Sequence, residues 1–239
     1  MAGRFAGKSV LIAGGTGALG RAIVLAFLDE SAYVVVTYRR QEEFVALNKT
    51  AASTGLSLES FQVDVTDEGA VRRLTEQLIA SHGRVDVLVN AVGGYAGGQP
   101  LWEIDAKTFD QMLALNLRSG YVLCRAIVPL MLKQRSGAIV NVSSRTAVDH
   151  AAGAAAYAAS KAAAVAMIDS LAADLKGTGL RVNSVLPSII DTDANRKAMP
   201  KADFTKWPKP EEIARVILFL CGEEARLIHG AAVPVYGTV

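Results

Sequence analysis

The stretch SVLIAGGTGALG, from Ser9 to Gly20, joins a short apolar run to a glycine-rich turn. The run Ser9–Ala13 predicts a strand that is buried on both faces. The segment Leu19–Leu28, which follows the turn, is amphipathic and predicts a helix. Glycines between a strand and a helix let the backbone approach a pyrophosphate, which lies at the helix N-terminus. The stretch therefore predicts the opening of a dinucleotide-binding domain. A glycine-rich turn without a ligand is the alternative interpretation.

The glycines of this turn fit two spacings. Gly15, Gly17 and Gly20 match the general G-x-G-x-x-G pattern, whereas a wider frame uses Gly14, Ala18 and Gly20. The residues that we expect to hold a cofactor at this turn are Gly14, Thr16, Gly17, Ala18, Leu19 and Gly20.

Apolar runs alternate regularly with longer amphipathic segments along the rest of the chain. Strands are predicted at Ser9–Ala13, Tyr33–Thr37, Ser57–Val63, Val85–Asn90, Ala138–Val142, Leu180–Leu186 and Ala232–Val235. Helices are predicted at Leu19–Leu28, Gln41–Ser53, Glu68–His82, Ala106–Gln134, Ala155–Leu175 and Pro210–Cys221. This alternation predicts a single-domain α/β fold, a doubly wound parallel sheet (Rossmann fold) with helices on both faces. With no linker or composition break, residues 1–239 are expected to form one domain, with a cofactor part at about 1–140 and a catalytic and substrate part at about 141–239.

Composition and charge argue against several classes of function. The 239 residues are 51% hydrophobic and 20% charged, which is typical of a globular protein. A net charge of +2 does not favour nucleic-acid binding, and two cysteines rule out a disulfide framework. The three histidines, His82, His150 and His229, are scattered, so no metal site is predicted. No apolar stretch is long enough for a membrane span or a secretory signal, so we expect a cytoplasmic protein without a membrane partner.

The end of the second predicted strand indicates which nicotinamide cofactor is bound. An acidic residue at this place commonly holds the ribose 2′-hydroxyl of NAD, but the sequence reads Tyr38-Arg39-Arg40. A guanidinium pairs with a 2′-phosphate, whereas a carboxylate would repel it. We therefore expect these three residues to contact NADP(H), with NAD(H) the less favoured cofactor. The alternative is that both arginines are solvated loop residues.

Asp64 and Val65 follow the third predicted strand, at the edge of the sheet where the cofactor is expected. The Asp64 carboxylate is suited to accept a hydrogen bond from the adenine amine, and Val65 offers a backbone amide. The alternative interpretation of Asp64 is an ordinary strand-end or helix-capping aspartate.

Tyr157 and Lys161 are spaced i, i+4 in a predicted helix and therefore share one face. A tyrosine is a poor acid at neutral pH, because its pKa is about 10. A cation one turn away favours the phenolate and lowers that pKa, so the pair is suited to give a proton to a carbonyl oxygen. Ser144 lies 13 residues before Tyr157 at the end of a predicted strand, and Asn116 lies within the preceding helical segment.

These residues together resemble the classical short-chain dehydrogenase/reductase family, in its ketoreductase-like branch. The resemblance covers nearly the whole chain, at Gly14–Gly20, Asp64-Val65, Asn90–Gly93, Asn116, Ile139–Ser144, Tyr157–Lys161 and Pro187–Thr192. It implies that Tyr157 donates the proton and that Ser144 orients the carbonyl. It also implies that Lys161 holds the nicotinamide ribose and lowers the tyrosine pKa. Asn116 would distort its helix and hold a water that links Lys161 to solvent.

The resemblance also implies further cofactor contacts, and the chain departs from the family pattern at some of them. The contacts are Asn90, Ala91, Gly93, Tyr157, Lys161, Pro187, Ile190 and Thr192. Ala18 replaces a glycine of the turn, Ala91 replaces an asparagine, and Ser188 replaces the glycine after Pro187. These departures bear on cofactor affinity and subfamily more than on the reaction class.

The expected substrate is a small carbonyl compound or alcohol, with acyl thioesters and small ketones both left open. Residues 192–210 are expected to form a lid, and Tyr95 either lines the pocket or is a surface aromatic. Arg145 and His150 lie in the loop between Ser144 and Tyr157, near the expected substrate. The favoured interpretation is that both are solvated loop residues, and the alternative is contact with a polar or anionic group of the substrate. The family resemblance implies a homotetramer or homodimer, built on the helices Ala106–Gln134 and Ala155–Leu175.

The leading hypothesis is an NADP(H)-dependent oxidoreductase that moves a hydride between nicotinamide and a carbonyl or secondary alcohol. A catalytically silent NAD(P)-binding regulator is one alternative, although it has no need for the complete set of Asn116, Ser144, Tyr157 and Lys161. An epimerase or lyase that uses the same hydride chemistry internally is the other.

Overall fold

A computed structural model describes residues 3–238, in which seven parallel strands form one sheet. The strands are β1 (Ser9–Ala13), β2 (Tyr33–Tyr38), β3 (Glu59–Gln62), β4 (Val87–Asn90), β5 (Gly137–Val142), β6 (Leu180–Pro187) and β7 (Ala232–Val235). Their order across the sheet is β3-β2-β1-β4-β5-β6-β7. The chain thus adds strands first on one side of β1 and then on the other, which confirms the predicted doubly wound sheet.

Eight α-helices accompany the sheet in the described part of the chain. They are α1 (Ala18–Asp29), α2 (Gln41–Ser53), α3 (Glu68–His82), α4 (Ala106–Leu113), α5 (Ser119–Gln134), α6 (Ala155–Asp174), α7 (Asp193–Ala198) and α8 (Pro210–Cys221). The Asp67 carboxylate caps α3 by accepting a hydrogen bond from the Ala70 amide at 3.0 Å. Pro210 occupies the first turn of α8, where its missing N–H costs nothing.

The core is divided into two layers, one on each face of the sheet. Val10 and Ile12 of β1 pack with α1, α2 and α8, whereas Leu11 and Ala13 pack with residues of α3, α5 and α6. Successive side chains of a strand point to opposite faces, so a strand covered on both sides must be apolar throughout. All five residues of β1 are buried accordingly.

Three predicted segments differ most from the structure. The strand predicted at Ser57–Val63 is shorter, Glu59–Gln62, because it lies at the sheet edge and pairs with β2 alone. The region 192–210, predicted as a lid with no helix assigned to it, contains the short helix α7, whose first turn is capped by the Thr192 hydroxyl. The third difference concerns the long helix predicted at Ala106–Gln134.

That helix is interrupted where Asn116 lies. Residues Ala114–Arg118 form one turn of π-helix between α4 and α5, so the prediction of a regular helix is wrong there. The Asn116 side chain forms hydrogen bonds outside its own helix, with the Gly94 backbone and with Ser160. The distortion implied by the family resemblance is thus present, and π turns of this kind are frequent at functional sites.

Membrane insertion through a helix finds no support between residues 3 and 238. None of the helices there combines the length and the apolar character that crossing a bilayer requires.

Candidate active site

The glycine turn between β1 and α1 leaves different amounts of room for a side chain at each of its glycines. Gly14 has a φ of +76°, which a residue with a side chain rarely adopts. A Cβ at Gly20 would lie 2.1 Å from the Gly14 carbonyl oxygen, and one at Gly15 would lie 2.9 Å from Val36. A Cβ at Gly17 would have its nearest neighbour 3.6 Å away. The packing therefore leaves no room for a side chain at Gly14, Gly15 or Gly20, but it does not require Gly17, the middle glycine of the general pattern.

A cleft of about 460 Å³ opens at the carboxyl edge of the sheet, beside this turn. It lies where the strand order reverses, between β1 and β4, as ligand sites do in doubly wound sheets. The structure brings ten of the predicted cofactor residues to its wall: Gly14, Thr16, Gly17, Tyr38, Arg39, Arg40, Asp64, Val65, Ala91 and Gly93.

Sequence reasoning missed six other residues of the same wall. They are Thr37, Glu43, Val63, Thr66, Val92 and Leu115. Most are immediate neighbours of predicted residues, so strand position alone would have found them. Glu43 is different, because it comes from α2 and reaches the cleft only through the way that helix begins. Its one sequence signal is its i, i+3 spacing from Arg40.

The two arginines after β2 have different surroundings. The Arg40 guanidinium forms a short ion pair with the Glu43 carboxylate. The Arg39 side chain makes no ion pair within the described residues, but its charge acts on Asp64 across the cleft. The Tyr38 ring stacks on Phe44 at 4.8 Å between centroids. Arg39 is thus the more available of the two cations for an anionic ligand.

Asp64 is held in place by Thr66. Its carboxylate accepts hydrogen bonds from the Thr66 amide at 2.9 Å and the Thr66 hydroxyl at 2.7 Å. Burial alone raises the pKa of Asp64, but these bonds and the charge of Arg39 outweigh burial, so the pKa lies below its ordinary value. Asp64 therefore presents an ionised acceptor to the cleft.

Lys161 is a buried cation at the base of the site. Its side chain lies on α6, and Nζ donates a 3.0 Å hydrogen bond to the Val142 carbonyl at the end of β5. Burial lowers the pKa of Lys161 to about 8, because water no longer solvates the charged amine. Nζ lies 6.0 Å from the centre of the Tyr157 ring.

The phenol of Tyr157 departs from the expectation that Lys161 lowers its pKa. Burial raises the pKa of Tyr157 above its ordinary value, a hydrogen bond with Ser144 opposes that rise, and nearby Tyr95 adds to it. The reason is geometric, because the Lys161 ammonium is directed to the Val142 carbonyl. In this structure the phenol is therefore held neutral, as a proton donor requires.

Asn116 connects the π turn to the loop after β4. Its side-chain oxygen accepts a hydrogen bond from the Gly94 amide, and its amide donates to the Gly94 carbonyl and to Ser160 Oγ, each at 3.0 Å. A Cβ at Gly93 would lie 2.9 Å from Asn116 Oδ1 and 3.1 Å from Lys161 Nζ. Gly93, Asn116 and Lys161 are therefore packed directly against one another.

The glycine-rich loop after β4 lies beside Tyr157. The Tyr95 ring packs edge-on against the Tyr157 ring at 5.0 Å between centroids, and 68% of Tyr95 is exposed. The Gly98 amide donates a hydrogen bond of 2.8 Å to the Gly153 carbonyl, which ties the glycine-rich loop to the segment before α6. Tyr95 therefore packs against Tyr157, which favours the interpretation that it lines the pocket over that of a surface aromatic.

Arg145 and His150 are engaged within their own loop. Arg145 pairs with Asp149 at 2.8 Å and lies over the Tyr236 ring at 5.1 Å. A His150 ring nitrogen lies 3.1 Å from the Thr146 carbonyl oxygen. These contacts agree with reading both as loop side chains.

The remaining predicted cofactor residues do not line this cleft. Asn90 donates to Asn141 at 2.9 Å and accepts from the Val92 amide at 3.2 Å, so its side chain orders the strand ends. Ala18 and Thr192 both line a second cavity of about 480 Å³. Leu19 packs in the core, and so does Ile190 from its edge. Pro187 ends β6.

Potential metal ligands do not cluster in the described chain. Between residues 3 and 238 no three His, Cys, Asp or Glu side chains lie together in a way that would hold a metal ion.

Comparison with known proteins gives consistent relatives. The model of the family described as short chain dehydrogenase matches residues 8–203. A 3-oxoacyl-[acyl-carrier-protein] reductase of Thermotoga maritima is 34% identical over 98% of both chains. A D-threitol dehydrogenase of Mycolicibacterium smegmatis is 32% identical, over 98% of this chain and 93% of the relative. The solved structure of ElxO with NADP bound has a TM-score of 0.88 and 27% identity, over 96% of this chain and 97% of that one.

The family model covers most of the chain, and both curated relatives exceed the identity at which the fold and the family are shared. The parallel sheet, the glycine turn and the grouping of Ser144, Tyr157 and Lys161 point to the same group of proteins. The chain belongs to the short-chain dehydrogenase family.

Proposed function

We propose that this oxidoreductase interconverts a carbonyl compound and a secondary alcohol with NADP(H), and that Tyr157 is the general acid and base. The observation that carries the proposal is the grouping of a neutral phenol, its Ser144 partner and the buried Lys161 beside a cleft of dinucleotide size.

The residues present fit a nicotinamide dinucleotide. The positive φ of Gly14 and the close approach at Gly20 leave backbone, not side chains, on the wall of the turn. Arg39 and Arg40 lie at the far end of the same cleft and would hold a 2′-phosphate. Gly93 leaves space beside Lys161 that a side chain would fill. When bound, the nicotinamide supplies or accepts the hydride.

The chain's own residues manage the proton and the position of the substrate. Tyr157 Oη donates its proton to the substrate oxygen during reduction and takes it back during oxidation. The Ser144 hydroxyl, which bonds with that phenol, orients the same oxygen. The Lys161 ammonium, whose pKa of about 8 leaves it mostly charged near neutral pH, would hold the nicotinamide ribose. Asn116 fixes the Gly94 backbone and so keeps the wall around Lys161 in place.

The relatives support a carbonyl or alcohol substrate of moderate size. One is a reductase of 3-oxoacyl groups and another a dehydrogenase of a polyol. The exposed ring of Tyr95 beside Tyr157 adds an apolar surface to the entrance. We infer that acyl thioesters and small ketones are the two classes to test first.

Purified protein, assayed for oxidation of NADPH against ketones, quinones and acyl thioesters, tests the function. Turnover with at least one class is expected. A silent regulator would bind the cofactor without turnover, and an epimerase or lyase would convert substrate without net consumption of NADPH.

Fluorescence titration tests the cofactor. NADPH is expected to bind more tightly than NADH, by roughly 10- to 150-fold if one charged hydrogen bond makes the difference. Arg39→Ala is expected to weaken NADPH and leave NADH unchanged. Equal or tighter NADH binding by the unchanged protein contradicts the cofactor assignment.

A further inference from the structure

Glu43 is an acidic residue in the cleft that the proposed function does not use. It lies in the first turn of α2, and its carboxylate lines the same wall as Arg39 and Arg40. No acidic residue stands at the end of β2 itself, where a carboxylate would contact the ribose. Glu43 brings a negative charge to that end of the cleft from a neighbouring element.

The Glu43 carboxylate joins two groups that the cofactor would also contact. One oxygen pairs with the Arg40 guanidinium. The other accepts a hydrogen bond of 3.1 Å from the Thr16 hydroxyl, which belongs to the glycine turn and is buried. The carboxylate therefore spans the gap between the phosphate turn and the arginine.

We propose that Glu43 is a specificity-determining residue, because its carboxylate competes with the cofactor 2′-phosphate for Arg40. The inference rests on the proposed preference for NADP(H) and names a residue that reduces this preference. With Arg40 engaged, Arg39 is the cation that a 2′-phosphate meets first. Binding of the phosphate must then displace Glu43 from Arg40 or accept a like charge close by.

The exposure of the pair makes such an exchange feasible. The Arg40 side chain is 68% exposed and Glu43 30% exposed, and ion pairs of this kind are weak because water screens them. A phosphate monoester carries nearly two negative charges near neutral pH and several acceptor oxygens. It can therefore take Arg40 from a single carboxylate, but at a cost that NADH, which has no 2′-phosphate, does not meet.

Two nucleotides and two matched variants test the competition without reference to activity. Adenosine 2′,5′-bisphosphate carries the 2′-phosphate, and 5′-AMP lacks it. Glu43→Gln removes the carboxylate at nearly constant shape. Glu42→Gln is the control, because it removes the same charge from the same helical turn. Glu42 is exposed and does not line the cleft.

Calorimetric titration of Glu43→Gln should show the bisphosphate bound roughly 5-fold more tightly, because the phosphate no longer has to break an exposed ion pair to reach Arg40. Binding of 5′-AMP should change by less than about twofold, and Glu42→Gln should resemble the unchanged protein for both ligands. An equal gain for both nucleotides, or an equal effect of the two variants, overturns the inference.

The Arg40→Ala background separates competition from simple repulsion. If Glu43 acts by occupying Arg40, then Glu43→Gln should bring little gain once Arg40 is absent. A gain that persists at full size in Arg40→Ala overturns the competition. The proposed function fails on a different result, namely tighter binding of NADH than NADPH by the unchanged protein, so the two failures are distinguishable.

Discussion

Tyr157 is the residue at which local environment and chemistry meet most directly. Its phenol is held neutral by burial and hydrogen-bonded to Ser144. Tyr157→Phe removes only a hydroxyl from the cleft, so fold and most cofactor affinity should be kept. Turnover should fall by about 10²- to 10⁴-fold, the usual scale for a positioned acid–base group. Steady-state kinetics with cofactor titration measures both, and near-normal turnover would mean that another group donates the proton.

The buried charge of Lys161 should lower the stability of the folded protein although activity requires it. Its effect on stability can be measured without any ligand. Its pKa is lowered from 10.5 to about 8 in the folded protein. Between those two values the unfolded chain binds more protons than the folded one, so stability rises with pH in this window. Below about pH 8 the folded protein carries the full cost of a buried charge, roughly 3 kcal/mol.

Lys161→Met should remove that cost. The cofactor-free variant is expected to be more stable than the unchanged protein by roughly 3 kcal/mol near neutral pH, and this advantage should shrink toward zero near pH 10 to 11. Urea unfolding of both proteins across this range gives the difference, in which the titration of other groups cancels. An advantage that does not vary with pH would show that the pKa of Lys161 is the same in the folded and the unfolded protein. Activity should be lost at every pH.

Residue-level prediction worked where chemistry follows strand position. Arg39, Arg40 and Asp64 were found because the carboxyl ends of parallel strands meet at one edge, and the structure places all three on the cleft wall. Glu43 was missed because its approach depends on the tertiary course of α2. The lowering of the Tyr157 pKa by Lys161 was wrong because spacing along a helix does not say where an ammonium is directed.

At the scale of elements, the β1–α1 turn makes a prediction that separates its glycines. Gly20→Ala places a methyl group 2.1 Å from the Gly14 backbone oxygen, and backbone cannot yield as a flexible side chain does. The gain of about 1 kcal/mol from alanine in a helix is outweighed, and a net loss of roughly 2–4 kcal/mol in unfolding free energy is expected.

Gly17→Ala is the matched control, since its Cβ would have 3.6 Å of room. Its cost should stay within about 1 kcal/mol, the scale of a changed helix N-cap. Urea denaturation of the cofactor-free variants compares the two. Equal losses would show that the wider glycine frame does not govern the packing of this turn.

Elements with strong periodicity were predicted closely, and those shaped by tertiary contacts were not. Strand Ser9–Ala13 and helices Gln41–Ser53, Glu68–His82 and Pro210–Cys221 have the predicted bounds. The π turn at Ala114–Arg118 could not be read from apolar spacing, because it depends on the bonds of Asn116 to a distant loop. Helix α7 was missed because six residues carry too little periodicity to recognise.

At the scale of the whole molecule, assembly remains a prediction. Tyr121, Leu117 and Met167 line a shallow surface cavity beside the π turn, and 42% of Tyr121 is exposed. A homotetramer or homodimer would cover this surface. Light scattering after size exclusion should give at least twice the chain mass of 25.2 kDa.

Tyr121→Glu should lower the assembled mass, because a charge buried in an apolar interface is costly. Tyr33→Glu, at an exposed tyrosine on the first residue of β2, should leave the mass unchanged. A monomeric unchanged protein contradicts the prediction outright.

The division into a cofactor part at about 1–140 and a catalytic part at about 141–239 also stays a prediction. Asn116, which is predicted to be catalytic, falls in the cofactor part.

The central place of β1 in the sheet has a consequence for folding during synthesis on the ribosome. Its neighbour on one side, β2, follows within a short helical crossover, but contact with the other side waits for Asp86 and β4, 77 residues later. At about 5–20 residues per second of synthesis, the nascent chain carries an open apolar strand edge for several seconds. That edge ends in the glycine turn, so the segment proposed to hold the cofactor stays exposed until β4 arrives.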